Sequence, residues 1–247
     1  MNQTEIDNSV RAYLDAHHMT GVDVRAALCD MDGTLYDSMP RHARAWHRLI
    51  TEQGIECTED EFFLYEGMTG ADTLRLLFGR AFGEVPSEER IKELYHLKTV
   101  YFNEQPGVQV MPGARRLIDT LVGAGVRPVL VTGSGQRTLI DRLNDDFGGV
   151  FSPELMVTSH NVTHGKPHPE PYLKAMEMAG ETPATSIAFE NAPRGVESAA
   201  RAGVFTVAVA TGPVPHEALR RAGASIVFSS MPECADFISQ LLYTLKG

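Results

Sequence analysis

The sequence predicts an α/β fold, a doubly wound parallel sheet that carries an inserted all-helical domain. Short apolar runs alternate with helical stretches throughout residues 108–247, and one further run, residues 26–29, precedes them. Helices that separate buried strands imply parallel crossover connections, with helices on both faces of the sheet. Residues 39–107 differ, because they contain helical stretches separated by glycines and no apolar run of the strand type.

The same patterns give the domain organisation. Apolar residues at helical spacing predict a helical extension over residues 1–20. We assign the α/β core to residues 21–38 and 108–247, and the inserted helical domain to residues 39–107. Helices are predicted to separate the later core strands, which we place at residues 127–132, 155–158, 186–189, 205–210 and 225–228.

Composition excludes several classes of function. The chain has 247 residues, with 22 basic and 32 acidic side chains and a net charge of -10, so it lacks the basic face that a nucleic-acid-binding protein needs. No apolar run approaches the roughly 18 residues of a membrane span, and the N-terminus does not resemble a signal peptide. The three cysteines lack disulfide or metal-site spacing. We therefore expect a cytoplasmic monomer that binds neither nucleic acid nor membrane.

The first predicted strand ends in a pair of carboxylates. Asp30 and Asp32 follow it directly, in the sequence Asp-Met-Asp-Gly-Thr. Ligands of open α/β sheets bind beyond the carboxyl ends of the strands, so both side chains are expected at a functional site. Two anions this close repel each other unless a cation lies between them. Carboxylate oxygens without a nearby His or Cys favour Mg²⁺ over zinc.

The sequence Asp-x-Asp-Gly-Thr resembles the signature of the haloacid dehalogenase superfamily of phosphotransferases. The resemblance implies that Asp30 is a nucleophile that forms an aspartyl phosphate. It also implies that Asp32 is the general acid/base and that its backbone carbonyl binds Mg²⁺. Taken alone, the pentapeptide is also compatible with an Asp-Gly turn after a strand, which is common in proteins.

Two further motifs of this superfamily follow in the expected order. Thr132, Gly133 and Ser134 come after a predicted strand and before a helix, a place where backbone amides bind anions. They resemble the second motif, which implies that Thr132 and the Gly133 amide hold the transferring phosphoryl group and that Ser134 contacts substrate. Lys166, in Gly-Lys-Pro, resembles the third motif, whose lysine neutralises aspartate and phosphate oxygens.

The fourth motif is matched with one substitution. Glu190 and Asn191 follow the strand at residues 186–189 and resemble the acidic pair that completes the metal shell. An Asn carbonyl can bind Mg²⁺, but the shell then has one negative charge fewer. With four motifs in order, the resemblance covers residues 22–247 and implies a Rossmann-like core, a Mg²⁺ cofactor and a small phosphorylated substrate.

The inserted helices resemble the cap of the subfamily that contains β-phosphoglucomutase and many sugar phosphatases. His42 belongs to the matching sequence His-x-x-Ala-Trp, and it either orients or transfers a proton, or is a polar residue at the mouth of the cap. Glu66 and Gly70 stand where the mutases carry two phosphate-binding cations. We also expect Thr69, in the same loop, to contact substrate.

The cap loop therefore disfavours a bisphosphate. One charge-assisted contact to phosphate contributes about 1.5–3 kcal/mol, and a carboxylate in its place repels the phosphate unless a cation bridges them. The combined cap and core motifs are similar to a haloacid dehalogenase-type inorganic pyrophosphatase, which differs in having an Arg where this chain has Met68. Glu66 either binds Mg²⁺ or a water on it, or ends a cap helix in solvent.

Three functions are compatible with these motifs. The first is a Mg²⁺-dependent phosphohydrolase of a small substrate, with inorganic pyrophosphate as the specific prediction. The second is a β-phosphoglucomutase or a sugar phosphatase with the same chemistry. The third is a non-catalytic binding protein on the same scaffold, against which the intact Asp30, Asp32, Thr132 and Lys166 argue.

Overall fold

A computed structural model describes residues 1–135 and 137–247. In chain order, the strands are β1 (Ala26–Cys29), β2 (Tyr36–Asp37), β3 (Gln109–Val110), β4 (Arg127–Val131), β5 (Met156–Val157), β6 (Ser186–Glu190), β7 (Phe205–Val209) and β8 (Ile226–Phe228). The α-helices are α1 (Gln3–His17), α2 (Met39–Glu52), α3 (Glu61–Leu64), α4 (Gly70–Phe82), α5 (Glu88–Asn103), α6 (Ala114–Gly123), α7 (Arg137–Phe147), α8 (Glu170–Ala179), α9 (Pro193–Arg201), α10 (His216–Arg221) and α11 (Met231–Lys246).

The predicted doubly wound sheet is confirmed. Within the described residues, six strands form one parallel sheet in the order β5-β4-β1-β6-β7-β8. The first strand, β1, lies between β4 and β6, with Cys29 level with Leu130 on one side and Phe189 on the other. This register brings the carboxyl ends of the three central strands to one edge of the sheet, where Asp30 begins its turn.

Alternate residues of β1 are buried against different helices. Ala27 and Cys29 belong to the apolar cluster that includes α6 and α11, whereas Ala26 and Leu28 belong to the cluster that includes α8. All four side chains are fully buried. A strand covered on both faces consists of small and apolar residues without polar alternation, which is the pattern that the sequence shows.

The N-terminal extension is a helix that packs on the core. A capping box between Asn2 and Glu5 begins α1. Its buried face includes Tyr13, whose hydroxyl donates to the Gly203 carbonyl at 2.7 Å and whose ring meets Phe205 edge-on. The amino group of Met1 pairs with Glu233 on α11 at 2.6 Å.

Residues 39–107, all of which the structure describes, contain helices α2 to α5 and no strand. Trp46 of α2 stacks on Phe62 of α3, with 6.3 Å between the ring centroids. Thr69 and Ser87 cap the first turns of α4 and α5, each accepting a hydrogen bond from a backbone amide. The apolar cluster on the α6 side of the sheet continues into these helices, so this cap is packed on the core.

The two connections between core and cap include a ribbon that the sequence did not reveal. Strands β2 and β3 pair antiparallel, with Tyr36 opposite Val110 and Asp37 opposite Gln109. A strand of two residues is too short to show alternation, so hydrophobic periodicity could not predict it. In the part of the chain that the structure describes, no helix has both the length and the apolar character needed to cross a membrane.

Candidate active site

Asp30 lies at the end of β1 and is buried, with 4% of its surface exposed. Its Oδ1 accepts a hydrogen bond from Lys166 Nζ at 2.6 Å, while its Oδ2 is buried without a hydrogen-bond partner. Burial raises the pKa of Asp30 to about 8; Lys166 opposes this shift, and Glu190 and Asp32 add to it. The unpaired oxygen is therefore a group that a cation or an electrophile would satisfy.

Lys166 connects Asp30 to the fourth motif. Its ammonium group donates to Asp30 Oδ1 at 2.6 Å, to Glu190 Oε1 at 2.6 Å and to the carbonyl of Val131 at 2.9 Å. Burial alone would lower the pKa of this lysine, but the two carboxylates hold it above its ordinary value. The three acceptors match the three protons of an ammonium group, so the lysine is charged and fixed in position.

The Glu190 carboxylate is held from two sides. Besides Lys166, the hydroxyl of Tyr172 on α8 donates to Glu190 Oε1 at 2.5 Å. The remaining oxygen, Oε2, accepts a longer hydrogen bond, of 3.3 Å, from the backbone amide of Asn191. Oε2 is therefore the oxygen with more capacity to accept another partner, such as a metal ion or a water on it.

Asn191 joins the core to the cap. Its Nδ2 donates to Glu66 Oε1 at 2.8 Å, and its Oδ1 accepts from Thr34 Oγ1 at 3.3 Å. Gly33 makes this approach possible, since its φ of +77° is unfavourable for other residues and a Cβ there would lie 1.9 Å from Asn191 Nδ2. An amide at this position can donate to a carboxylate, which an aspartate could not do while ionised.

Glu66 is buried in the site and does not end a helix in solvent. It is 8% exposed and lies between α3 and α4, in the loop that faces the core. Burial raises its pKa well above the ordinary value; the charges of Asp30, Asp32 and Glu190 raise it further, and only the Asn191 hydrogen bond opposes them. Four acidic side chains therefore converge here, and a cation would relieve their repulsion.

Asp32 is held by a chain of buried polar side chains. Its Oδ1 accepts from Ser38 Oγ at 2.6 Å and contacts His42 Nε2 at 2.9 Å, while His42 Nδ1 meets Lys98 Nζ of α5 at 2.5 Å. Burial would raise the pKa of Asp32, but His42, Ser38 and Lys98 bring it below its usual value. Burial lowers the pKa of Lys98 to about 7, with Asp32 opposing the shift.

The contacts with Asp32 and Lys98 indicate which nitrogen of His42 carries the proton. Burial and the charge of Lys98 lower the pKa of His42 against the opposing effect of Asp32. A neutral imidazole that donates from Nε2 to Asp32 accepts at Nδ1 from the lysine, which agrees with both contacts. His42 therefore lies beside the Asp32 carboxylate and lines the cavity, which favours an orienting role; its part in catalysis stays a prediction.

The second motif faces the cap across a narrow cavity. Thr132, Gly133 and Ser134 all line this cavity, and the Ser134 amide donates to Thr132 Oγ1 at 3.0 Å. A Cβ on Gly133 would come within 2.4 Å of the Gly67 carbonyl, so cap and core are in close contact. Thr69, also predicted to contact substrate, does not line the cavity, because its hydroxyl caps α4 and bonds Asp72 Oδ2 at 2.7 Å.

Tyr95 of α5 closes the cavity from the cap side. The Gly135 amide donates to its hydroxyl at 3.1 Å, which connects the cap to the second motif. Its ring fills the space beside Gly70, where a Cβ would lie 2.1 Å from the ring carbons. The space left between Asp30, Glu66 and Thr132 is a cavity of about 60 Å³, which has room for only a few waters.

Sequence reasoning missed four of these residues: Ser38, Tyr95, Lys98 and Tyr172. One available signal was the lysine at position 98, which shares a helix face with Leu94 and Phe102 where an apolar residue is expected. Its Nζ lies 5.2 Å from the Phe102 ring centroid and 5.4 Å from that of Trp46. Burying a lysine among aromatic rings lowers the free energy of unfolding, so a lysine at such a position is a candidate functional residue.

The donor set fits a magnesium ion. The available ligands are carboxylate, amide and backbone oxygens: Asp30 Oδ2, the Asp32 carbonyl, Glu190 and Asn191, with Glu66 adjacent. The nearby imidazole, His42, uses both of its nitrogens in hydrogen bonds and is not available as a ligand. Hard oxygen donors without a free nitrogen or sulfur are the set that Mg²⁺ prefers.

Comparison with known proteins agrees with this geometry. A family model described as haloacid dehalogenase-like hydrolase matches residues 24–203. Hexitol phosphatase A of Escherichia coli K12 is 31% identical over 182 residues, which cover 74% of this chain and 81% of that protein. A β-phosphoglucomutase of Mycobacterium bovis is 29% identical, and the match covers 85% and 91% of the two chains.

A solved structure from Bacteroides vulgatus, provisionally described as a β-phosphoglucomutase, is similar over the full length of both chains, with 40% identity and a TM-score of 0.96. The four motifs predicted from sequence all fall within the residues that the family model matches. The chain therefore belongs to the haloacid dehalogenase-like hydrolase family, in its β-phosphoglucomutase-like branch, and is an enzyme that acts on phosphorylated substrates.

Proposed function

We propose that this enzyme is a Mg²⁺-dependent phosphohydrolase that works through an aspartyl phosphate, and that its substrate is inorganic pyrophosphate. The observation that carries the proposal is the contact between Glu66 of the cap and Asn191 of the core, 2.8 Å from Oε1 to Nδ2. This contact brings a carboxylate from the cap to the acidic end of the site.

The substrate must tolerate that carboxylate. Glu66 stands where a cap cation would hold the second phosphate of a sugar bisphosphate, and an unbridged carboxylate repels phosphate. Pyrophosphate chelates divalent cations through both of its phosphates, so it brings a charge-neutralising cation with it. Glu66 then orients the substrate through that cation or through a water bound to it. Glu66 would also compensate for the acid that is missing from the fourth motif, because it places a carboxylate beside Asn191.

The reaction proposed for Asp30 has two halves. In the first, an Asp30 oxygen attacks phosphorus, the bond to the leaving phosphate breaks, and Asp32, which is ionised in the free enzyme, passes to the departing oxygen a proton that is taken up with the substrate. In the second, Asp32 accepts a proton from the water that attacks the aspartyl phosphate, which releases phosphate and restores Asp30.

The surrounding residues stabilise both halves. Thr132 and the Gly133 amide hold the transferring oxygens, and Lys166 neutralises charge beside Asp30. Asp30, the Asp32 carbonyl, Glu190 and Asn191 would hold Mg²⁺. When bound, the ion reduces the repulsion between nucleophile and phosphate. His42 and Ser38 keep Asp32 aimed at the cavity.

The small size of the cavity supports a small leaving group. Tyr95 occupies the space beside Gly70, and the cavity, which is partly open to solvent, has a volume of about 60 Å³. A phosphate leaving group needs far less room than a hexose, so a hexose phosphate would require the cap to open or Tyr95 to move.

A sugar phosphatase or β-phosphoglucomutase is the second candidate. Two observations favour it: the matched relatives include a hexitol phosphatase and a β-phosphoglucomutase, and His42 lies in the cap sequence expected of that subfamily. Their substrates share the phosphoryl group with pyrophosphate but differ in the leaving group, which would lie next to the cap residues of the cavity.

A substrate panel tests the proposal. Pyrophosphate, sorbitol 6-phosphate, β-glucose 1-phosphate and p-nitrophenyl phosphate are compared with and without Mg²⁺, and EDTA-treated enzyme serves as the metal-free arm. We expect kcat/KM for pyrophosphate to exceed that for each sugar phosphate by about tenfold or more, which is about 1.4 kcal/mol of transition-state discrimination. A higher kcat/KM on a sugar phosphate, or formation of glucose 6-phosphate, would assign the second candidate instead.

A further inference from the structure

We propose that His164, His168 and Glu170 form a second metal site, which takes a divalent transition metal of the zinc class. One ligand atom from each residue lies within 4.8 Å of the others. The three residues lie in the segment between β5 and the first turn of α8, outside the cavity that contains Asp30. The proposal does not depend on the substrate of the enzyme.

The distances are close to those of a coordination sphere. His164 Nδ1 lies 2.9 Å from Glu170 Oε2, and the rings of His164 and His168 are 4.7 Å apart between centroids. A four-coordinate zinc with bonds of about 2.0–2.1 Å holds its ligand atoms about 3.3 Å from one another. A metal can therefore take the place of the hydrogen bond between His164 and Glu170, and His168 supplies the third ligand atom within 4.8 Å of the other two.

The carboxylate of this cluster is already fixed. Glu170 Oε1 accepts from the Thr163 amide at 2.7 Å, and Oε2 accepts from the His164 amide at 2.9 Å. Metal binding costs less conformational entropy when a ligand is held in place beforehand. One contact competes with it: the Glu170 amide donates to His168 Nδ1 at 3.2 Å. That amide belongs to the first turn of α8, where water can replace the partner.

Ligand chemistry separates this site from the one beside Asp30. Imidazole nitrogens favour zinc, nickel and copper, whereas carboxylate and carbonyl oxygens favour magnesium. The two histidines are exposed, so a metal can reach them from solvent. Two histidines and one carboxylate leave a coordination position for water, as in other three-ligand sites. The two sites should therefore take different ions from a mixture.

Occupancy would affect the segment that carries the catalytic lysine. Lys166 lies two residues from both His164 and His168, so a metal bound by the pair closes a short loop around it. Binding to the folded state alone stabilises that state by mass action. The bound metal should therefore raise the thermal midpoint of unfolding and restrict the backbone on either side of Lys166.

The test uses the full-length protein with Mg²⁺ in excess, so that the oxygen site is occupied. Co²⁺ is titrated while visible absorption is followed, because Co²⁺ bound by nitrogen and oxygen donors gives a characteristic spectrum, and Zn²⁺ is then added as a competitor. The variants are His164→Gln and His168→Gln. Glu170 is left unchanged because it also holds the loop. The matched control is His160→Gln, which removes an exposed histidine of the same segment that is not part of the cluster.

We expect one Co²⁺ per chain in the wild type and in the control, displaced by Zn²⁺, with a rise in the thermal midpoint. Each cluster variant should bind about tenfold more weakly or worse, with little change in its metal-free midpoint. Absence of a Co²⁺ spectrum in the wild type would overturn the proposal. So would unchanged binding in the two variants, or equal weakening by His160→Gln, because the ligands would then lie elsewhere.

Discussion

The core half and the cap half of the site are built in different ways. In the core, Asp30, Lys166 and Glu190 follow adjacent parts of one sheet, and Lys166 joins the two carboxylates through 2.6 Å hydrogen bonds. In the cap, Glu66 and Tyr95 come from a loop and a helix face, and each is hydrogen-bonded to the core. The sheet thus positions the core residues, whereas the positions of Glu66 and Tyr95 depend on how the cap packs on the core.

This difference assigns reaction and substrate choice to separate parts of the chain. Changes in the core should abolish turnover of every phosphorylated substrate alike, because each passes through Asp30. Changes in the cap should alter the ranking of substrates, if the cap contacts the leaving group as we propose. The predictions below test this division, beginning with the largest expected effect.

Replacement of the nucleophile should be the most damaging change. Asp30→Asn should lower kcat by about 10³-fold or more on all substrates, since an amide of nearly the same shape is a poor nucleophile. The fold should persist, because the amide has nearly the same shape as the carboxylate and Lys166 keeps its ion pair with Glu190. Steady-state kinetics and circular dichroism measure both effects, with the exposed Asp37→Asn as the control. Comparable turnover by the two variants would remove Asp30 from its role.

The junction between core and cap should show strong coupling. Asn191→Asp would place a carboxylate 2.8 Å from Glu66, so we expect turnover to fall by about tenfold and the Mg²⁺ concentration at half-maximal rate to change. Adding Glu66→Gln should restore the hydrogen bond with donor and acceptor exchanged, and recover part of the loss. A double-mutant cycle measures the coupling, about 0.5–3 kcal/mol for groups in contact. Additive effects would mean that the two side chains do not interact in solution.

The smallest expected effect is that of Lys98 on the stability of the fold. Burial lowers the pKa of Lys98 from 10.5 to about 7, so the unfolded state binds more protons than the folded state between these values. The destabilisation is therefore complete below about pH 7 and decreases as the pH rises toward 10.5. Lys98→Met should lower activity while increasing stability at pH 7 by about 1–2 kcal/mol, which is roughly 2–8 °C in Tm.

The gain in Tm should become smaller at pH 9, because Lys98 of the folded wild type is then largely neutral and its burial destabilises the fold less. Differential scanning fluorimetry at pH 6, 7, 8 and 9 measures the trend. Lys92→Met, on an exposed position of the same helix, is the control and should change little at any pH. A gain for Lys98→Met that is constant with pH would show that the lysine is fully charged throughout.

The sequence revealed the core half of the site better than the cap half, for a physical reason. Asp30, Thr132 and Lys166 follow a strand or lie in the loop after it, and Glu190 is the last residue of β6; parallel strands bring such positions to one edge of the sheet. Tyr95 and Lys98 lie within a helix, and their meeting with Gly135 and His42 depends on how the cap packs on the core.

Two smaller differences have local causes. Thr69 was expected to contact substrate, but a threonine before a helix also satisfies backbone amides, and in the structure its hydroxyl caps α4. Tyr172 was hidden because a tyrosine on an apolar helix face is usually explained by packing alone. Its hydrogen bond to Glu190 becomes evident only when α8 lies against the sheet.

The most direct test of a cap that selects the substrate is Glu66→Ala, assayed on pyrophosphate and on p-nitrophenyl phosphate, with the exposed cap variant Glu84→Ala as the control. If Glu66 orients pyrophosphate through a bound cation, its loss should lower kcat/KM for pyrophosphate by about 10²-fold and that for the aryl phosphate by less than about threefold. Glu84→Ala should change neither substrate appreciably. An equal loss on both substrates, or conversion of β-glucose 1-phosphate to glucose 6-phosphate by the wild type, would contradict the account.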